Sequence, residues 1–198
     1  VSDPLAEPED ATPLTPDERD GLRQSWITHR RDLNEAEEDN VLRGAIWARR
    51  RRDRRPADLL DETFVRALHK QMLGRVWRWA GSYRRTERNL GIEAYRIPVE
   101  IAMLLDDARY WLEHGTFVPD ELAVRLHHRL VAIHPFPNGN GRHARLMADV
   151  LIERLGQPAF SWGSGRIAET GAPRGSYIAA LRAADAHDIA PLLLFARG

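Results

Sequence analysis

Apolar positions recur at helical spacing through most of this chain. In residues 59–73, Leu60, Phe64, Leu68 and Met72 fall every fourth position. In residues 98–114, Ile101, Leu104, Leu105, Ala108, Trp111 and Leu112 make a wider stripe. Such stripes mark helices with one buried face. Pro98 opens the second of these stretches and Gly115 closes it, while Gly74 follows the first. Residues 32–52, 121–133, 140–155, 177–186 and 189–196 carry the same period. Asp32 and Glu35 predict a capping box at the start of 32–52, Thr15 and Glu18 predict another, and Asp188 predicts an N-cap for the last helix. Residues 84–97 break the period, and alternation around Leu90-Gly91-Ile92 predicts a small β-hairpin or extended flap. Trp77, Trp79 and Tyr83 are expected to pack as core beneath it. Residues 156–171 read as a Gly/Ser-rich loop. The pattern therefore predicts a single all-α domain over residues 13–198 with one small β-hairpin, preceded by an acidic, proline-bearing flexible tail over 1–12.

One stretch fits no helix. Residues 134–145 read His-Pro-Phe-Pro-Asn-Gly-Asn-Gly-Arg-His-Ala-Arg, between the helices predicted at 121–133 and 140–155. Gly139 and Gly141 carry no Cβ, so backbone there can lie flush against a ligand. At a helix start, unpaired N–H groups and the helix dipole together make an anion site. Arg142 and Arg145 stand at i and i+3, on one face of the first turn, placed to clamp phosphate oxygens. His134 precedes the loop with an ordinary pKa of about 6.5, suited to a general base. A phosphate cradle, two arginines and a base point to phosphoryl or nucleotidyl chemistry.

Composition narrows the classes. Apolar residues make up 43% and charged residues 29%, as in globular domains. Lys plus Arg equals Asp plus Glu at 29 each, so no global field recruits nucleic acid or a membrane. The basic run at residues 49–55 is better read as a solvated helix end than as a nucleic-acid contact. Cysteine is absent, which excludes disulfides and thiolate metal sites. Adjacent His127 and His128 point about 100° apart on a helix, so they do not share an ion. No apolar run reaches membrane-spanning length and no signal-peptide pattern opens the sequence as given, so the expected compartment is the cytoplasm.

The 134–145 stretch resembles the Fic motif, His-x-Phe-x-(Asp/Glu)-Gly-Asn-Gly-Arg-x-x-Arg, departing from it only at Asn138. From about residue 11 to 197 the chain is similar to the Fic subgroup named mobile mystery protein B. The resemblance implies a compact Fic-like helical fold and a protein adenylyltransferase. In that reading AMP passes from ATP to a Ser, Thr or Tyr hydroxyl of a target protein docked on the flap at 84–97. His134 would be the catalytic base, and Gly139, Asn140, Gly141, Arg142 and Arg145 would bind nucleotide. Arg142 would hold the leaving pyrophosphate, Arg145 the γ-phosphate, and the Asn140 amide a phosphate oxygen. Phe136 would anchor the loop in the core. Family members hold Mg2+ through an acid at position 138; Asn138 offers an uncharged oxygen that can still ligate, so either the metal affinity is lower, or the nucleotide phosphates hold the ion, or the nucleotide or reaction has changed.

The resemblance also gives the acidic start of the 32–52 helix a role. Leu33-Asn34-Glu35-Ala36-Glu37-Glu38-Asp39-Asn40 looks like a diverged form of the inhibitory helix motif, Ser/Thr-x-x-x-Glu-Gly/Asn. Glu37 or Glu38, with Glu37 preferred, would then pair with Arg145. The bland reading is a helix start favoured by its dipole. Other classes stay open: a nucleotide-binding module of a toxin–antitoxin-like pair, or a Fic variant that uses another nucleotide or removes AMP.

Overall fold

The computed structural model describes residues 15–50, 55–163 and 172–198. The expected tail at 1–12, most of the basic run beyond Arg50 and the loop at 164–171 lie outside them. A capping box forms at Thr15, whose N–H and hydroxyl both bond Glu18, opening α1 (Pro16–Arg19). Helix α2 (Arg30–Arg50) starts two residues earlier than predicted. The Asp32 carboxylate reaches back to the His29 N–H at 3.3 Å, so Asp32 stands inside the first turn and Glu35 is left exposed with no capping role. The helix predicted over 59–73 is split into α3 (Pro56–Leu59) and α4 (Glu62–Leu73). The break is chemical: the Asp61 carboxylate accepts from the N–H groups of Thr63 at 2.8 Å and Phe64 at 3.3 Å, restarting the helix.

A 3-10 turn (Ala94–Arg96) leads into α5 (Ile97–His114), which Gly115 closes in the left-handed conformation at φ 58°. Then follow α6 (Pro119–Ile133), α7 (Asn140–Arg154), α8 (Ala172–Asp185) and α9 (Ala190–Arg197). Asp188 accepts from the Ala190 N–H at 3.1 Å, one residue ahead of the geometric cap at Ile189. Helices α6 and α7 pack along each other, α2 lies on α4, α5 covers α6, and α8 pairs with α9. Leu68 and Met72 of α4, Leu126 and Leu130 of α6, and Met147 and Leu151 of α7 are buried in the core.

Helix α2 comes close to α4 because residue 44 is glycine. A Cβ there would lie 2.9 Å from the Cα of Met72. Leu33, Glu37, Asn40, Gly44 and Ala48 form the buried stripe of α2, so a carboxylate enters the interior on the same face as that close contact.

No strand forms among the described residues; a single antiparallel bridge joins Leu22 and Trp77. Residues 84–93 are irregular and flank the 134–145 loop without paired strands. The Arg84 N–H bonds Pro135 O at 2.9 Å and the Ile92 N–H bonds Ile133 O at 3.4 Å, which pins both ends of the segment. Trp77 is buried and stacks on Trp79 at 5.0 Å, as the core reading of these aromatics requires.

Candidate nucleotide site

Helix α6 ends at His134, which takes the left-handed conformation at φ 53° and ψ 58°. That geometry is rare for a residue with a Cβ and costs on the order of 1 kcal/mol, so surrounding contacts must impose it. The next residues are held from all sides. Phe136 is fully buried, with its ring stacked on His69 at 3.7 Å and flanked by Tyr83 and His143. The Asn140 side chain accepts from the Phe136 N–H and donates to the Phe136 carbonyl, each at 2.8 Å. The side chain is thus held within the loop through its oxygen and one of its two N–H donors. Gly139 has φ 80°, and a Cβ there would fall 2.5 Å from Leu73 Cδ1, so glycine is required. His69 Nε2–H donates to the Asn138 carbonyl at 3.0 Å while its Nδ1 accepts from Gly81 N–H at 2.9 Å, which fixes its tautomer.

Past this loop, α7 presents its N-terminus. Its first helical bond runs from His143 N–H to Gly139 O at 2.9 Å, so the N–H groups of Asn140, Gly141 and Arg142 stand outside the ladder. Around Gly141 a Cβ would touch only Arg145, at an ordinary 3.6 Å, so the absent side chain leaves open backbone for a ligand. Unpaired N–H groups at a helix start, together with the helix dipole, are chemically suited to an anion.

Glu37 does reach the motif, but at the other arginine. Its Oε2 accepts from Arg142 Nη2 at 2.7 Å and its Oε1 from Trp77 Nε1–H at 2.6 Å, with the residue 2% exposed. The pairing with Arg145 is therefore corrected to Arg142, because the face of α2 that turns inward meets α7 at its first arginine. Glu38 points to solvent. Arg145 instead bonds Tyr177, over whose ring its guanidinium lies at 5.4 Å. The Tyr177 hydroxyl in turn meets His127 Nε2 at 2.9 Å. Two motif arginines that look equivalent in the sequence thus have different partners.

Burial, assisted by the nearby positive charge of Arg84, holds the His134 imidazole down at about 4. A ring N–H bonds the Val131 carbonyl, which leaves the lone pair on the other nitrogen. The imidazole is therefore neutral at pH 7, the form a base requires. Burial also pushes His69 and His127 well below 6.5 and His143 to about 4.

The residues present do not build a protein-held magnesium site. Asn138 Oδ1 is uncharged and accepts from the Gly139 N–H. Among the described residues no group of three or more His, Cys, Asp or Glu side chains gathers around a possible ion.

Sequence reasoning missed His69, Arg84 and the pairing of Trp77 with Glu37. His69 sits on the apolar stripe of α4 beside Leu68, and a polar residue at a core position was the available signal. Arg84 gave none, since an arginine at the start of a loop reads as solvent-facing.

The helical domain thus sets a neutral histidine at the end of α6 and an amide-bearing helix start, with two arginines, at the beginning of α7. The chain matches the model of the Fic/DOC family over residues 59–152. It is 32% identical over 132 residues to the protein adenylyltransferase Fic of Drosophila grimshawi, covering 65% of this chain and 26% of that protein. The corresponding protein of Drosophila melanogaster is 33% identical over 132 residues, covering 65% of this chain and 25% of that protein. The chain thus spans about a quarter of the length of these relatives. Among solved structures, a Fic-1 fragment from C. elegans superposes with a TM-score of 0.59 at 27% identity, covering 81% of this chain and 48% of that one. BepC from Bartonella tribocorum, solved with bound AMPPNP, shares the fold with a TM-score of 0.67 at 19% identity, covering 92% of this chain and 97% of that one.

Proposed function

We propose that this protein transfers AMP from ATP to a hydroxyl side chain of a target protein, and that Glu37 restrains the reaction. The observation that carries this reading is the loop joining α6 to α7, which fixes His134 and the α7 amide cradle in one rigid unit. His134 takes the proton of a Ser, Thr or Tyr hydroxyl. The hydroxyl oxygen forms a bond to the α-phosphorus as the bond to the bridging oxygen of the β-phosphate breaks, and pyrophosphate leaves with that electron pair. Backbone N–H groups at 140–142 stabilise the charge gathering on the phosphate oxygens. Arg142 receives the pyrophosphate and Arg145, steadied by Tyr177, the γ-phosphate. Relatives named protein adenylyltransferases support the reaction class, and the AMPPNP bound by BepC supports ATP as the donor. Magnesium, where it participates, is carried in on the nucleotide phosphates, since Asn138 contributes no charge.

Residues 84–93 lie against the loop, where an extended target segment would dock beside His134. The compartment proposed is the cytoplasm, which supplies ATP; no helix of the described residues is long and apolar enough to cross a membrane. A second reading rests on the Glu37–Arg142 pair. With Arg142 occupied, the resting protein would bind nucleotide without turnover and act as a module that a partner activates.

The test is incubation with ATP, GTP, CTP or UTP followed by intact-mass analysis of the protein and of candidate targets. Gain of one AMP by wild type, lost by a factor of about 10²–10⁴ in His134→Ala with nucleotide binding retained, is the expected result. Retained binding with no mass gain even in Glu37→Gly would favour the module.

A further inference from the structure

We infer that Arg84 is a positioning residue for His134: its four N–H-bearing groups tie together the carbonyls that set the left-handed turn at His134 and the loop at 84–93. This rests on His134 being the base. The Arg84 side chain is fully buried. Its Nε donates to His134 O at 2.8 Å, its Nη1 to Thr86 O at 3.0 Å and its Nη2 to Ile92 O, while its backbone N–H donates to Pro135 O at 2.9 Å. With Ile92 N–H on Ile133 O, the carbonyls of three successive residues, 133 to 135, are satisfied by this one segment. Carbonyls at a helix C-terminus lack donors of their own and carry the negative end of the dipole, so a buried guanidinium suits them.

The contact has no slack. Gly91, at φ 93°, packs so closely that a Cβ there would lie 2.6 Å from His134 Cβ. Arg84 therefore closes the 84–93 loop on one side and holds the base on the other, so a segment docking on the loop and the aim of the imidazole share one strut. The charges acting on the His134 ring are Arg84 and Arg88, both from this segment. Arg88 is paired with Glu18, whereas Glu87, the carboxylate facing Arg84, is exposed and 3.9 Å away. Lysine cannot replace this geometry, because one ammonium does not reach three carbonyls spread around a planar fork.

Two variants separate charge from shape. Arg84→Lys keeps the charge and loses the fork; Arg84→Gln keeps a pair of N–H donors and loses the charge. Steady-state transfer should show kcat down on the order of 10²-fold in both, because the base is mis-aimed. KM for ATP should stay within about twofold, as the α7 cradle is untouched. NMR titration of the His134 ring should give a midpoint near the wild-type value in Arg84→Lys, and in Arg84→Gln one raised toward the ordinary value of about 6.5. This titration needs no turnover, so it reports on Arg84 even if wild type transfers no nucleotide. An unmoved midpoint in Arg84→Gln, or wild-type kcat in either variant, overturns the inference. Should both variants fail to fold, Gly91→Ala presses directly on this contact, its Cβ falling 2.6 Å from His134 Cβ and 2.8 Å from Arg84 Nη2. A fallen kcat with unchanged KM for ATP then supports the strut, and wild-type kcat with an unmoved His134 signal overturns it.

Discussion

Asn138 is the residue at which this chain leaves the Fic motif, and its surroundings show what the change does. The side-chain oxygen turns back onto the Gly139 N–H, inside the loop. Asp at this position would add an anionic oxygen, which hard cations prefer. Asn138→Asp should lower the magnesium concentration giving half-maximal transfer, and a magnesium titration of both proteins measures it. Equal half-saturation would show that residue 138 does not touch the ion. At this scale the sequence was most informative where chemistry and spacing are local. His134, Gly139, Gly141 and Arg142 lie within nine consecutive residues, and groups so close along the chain have little freedom to be elsewhere. The Asn140 amide had two candidate uses, a phosphate or its own loop. The buried Phe136 backbone groups, which must be hydrogen-bonded, take its oxygen and one of its two N–H donors.

Helix α2 carries the regulation proposed for the site. Glu37 stands between Arg142 and Trp77, whereas Glu38 faces solvent. Glu37→Gly should raise automodification or target labelling, and Glu38→Gly should leave it at the wild-type rate, measured at equal protein and ATP. No rise with Glu37→Gly would reduce the acidic turn to a structural feature. Gly44 lies two turns further along the same face, so its contact with Met72 governs how closely the carboxylate approaches α7. Gly44→Ala should lower stability by about 1–3 kcal/mol through overpacking. The same change should raise labelling above wild type by lifting α2; thermal melts and labelling rates check the two effects separately. That a glutamate of α2 would meet the motif was legible as a resemblance. Which arginine it meets depends on the rotation and depth of α2 against α4 and α7, and a local motif carries neither.

Across the whole molecule, four histidines are kept neutral by burial: His69, His127, His134 and His143. His143 holds a folded value of about 4 against 6.5 for the ordinary group. Between those values the unfolded chain binds the proton and the folded chain does not, so stability is full above about pH 6.5 and falls as the pH drops toward 4. His143 alone contributes up to about 3 kcal/mol across that window. Thermal melts should therefore show the midpoint falling steadily from pH 7 to pH 5, above the range where most carboxylates titrate. His143→Gln, which can keep a donor to Val65 O, should flatten that slope. A pH-independent midpoint over this range would refute the account.

What the sequence by itself determined follows from short-range physics. Helical periods located the major helices, proline and glycine punctuated them, and the 134–145 stretch marked the turn that carries the proposed phosphate cradle and base. Those features depend on residues within a few positions of one another. Tertiary structure alone decided the rest: Arg84 as the strut behind His134, His69 as the brace under the loop, and Glu37 on Arg142 instead of Arg145. Each brings together groups at least 40 positions apart. Such contacts are selected by the need to satisfy buried donors and acceptors once helices have packed, and packing is a property of the assembled surfaces, not of any one stretch of chain.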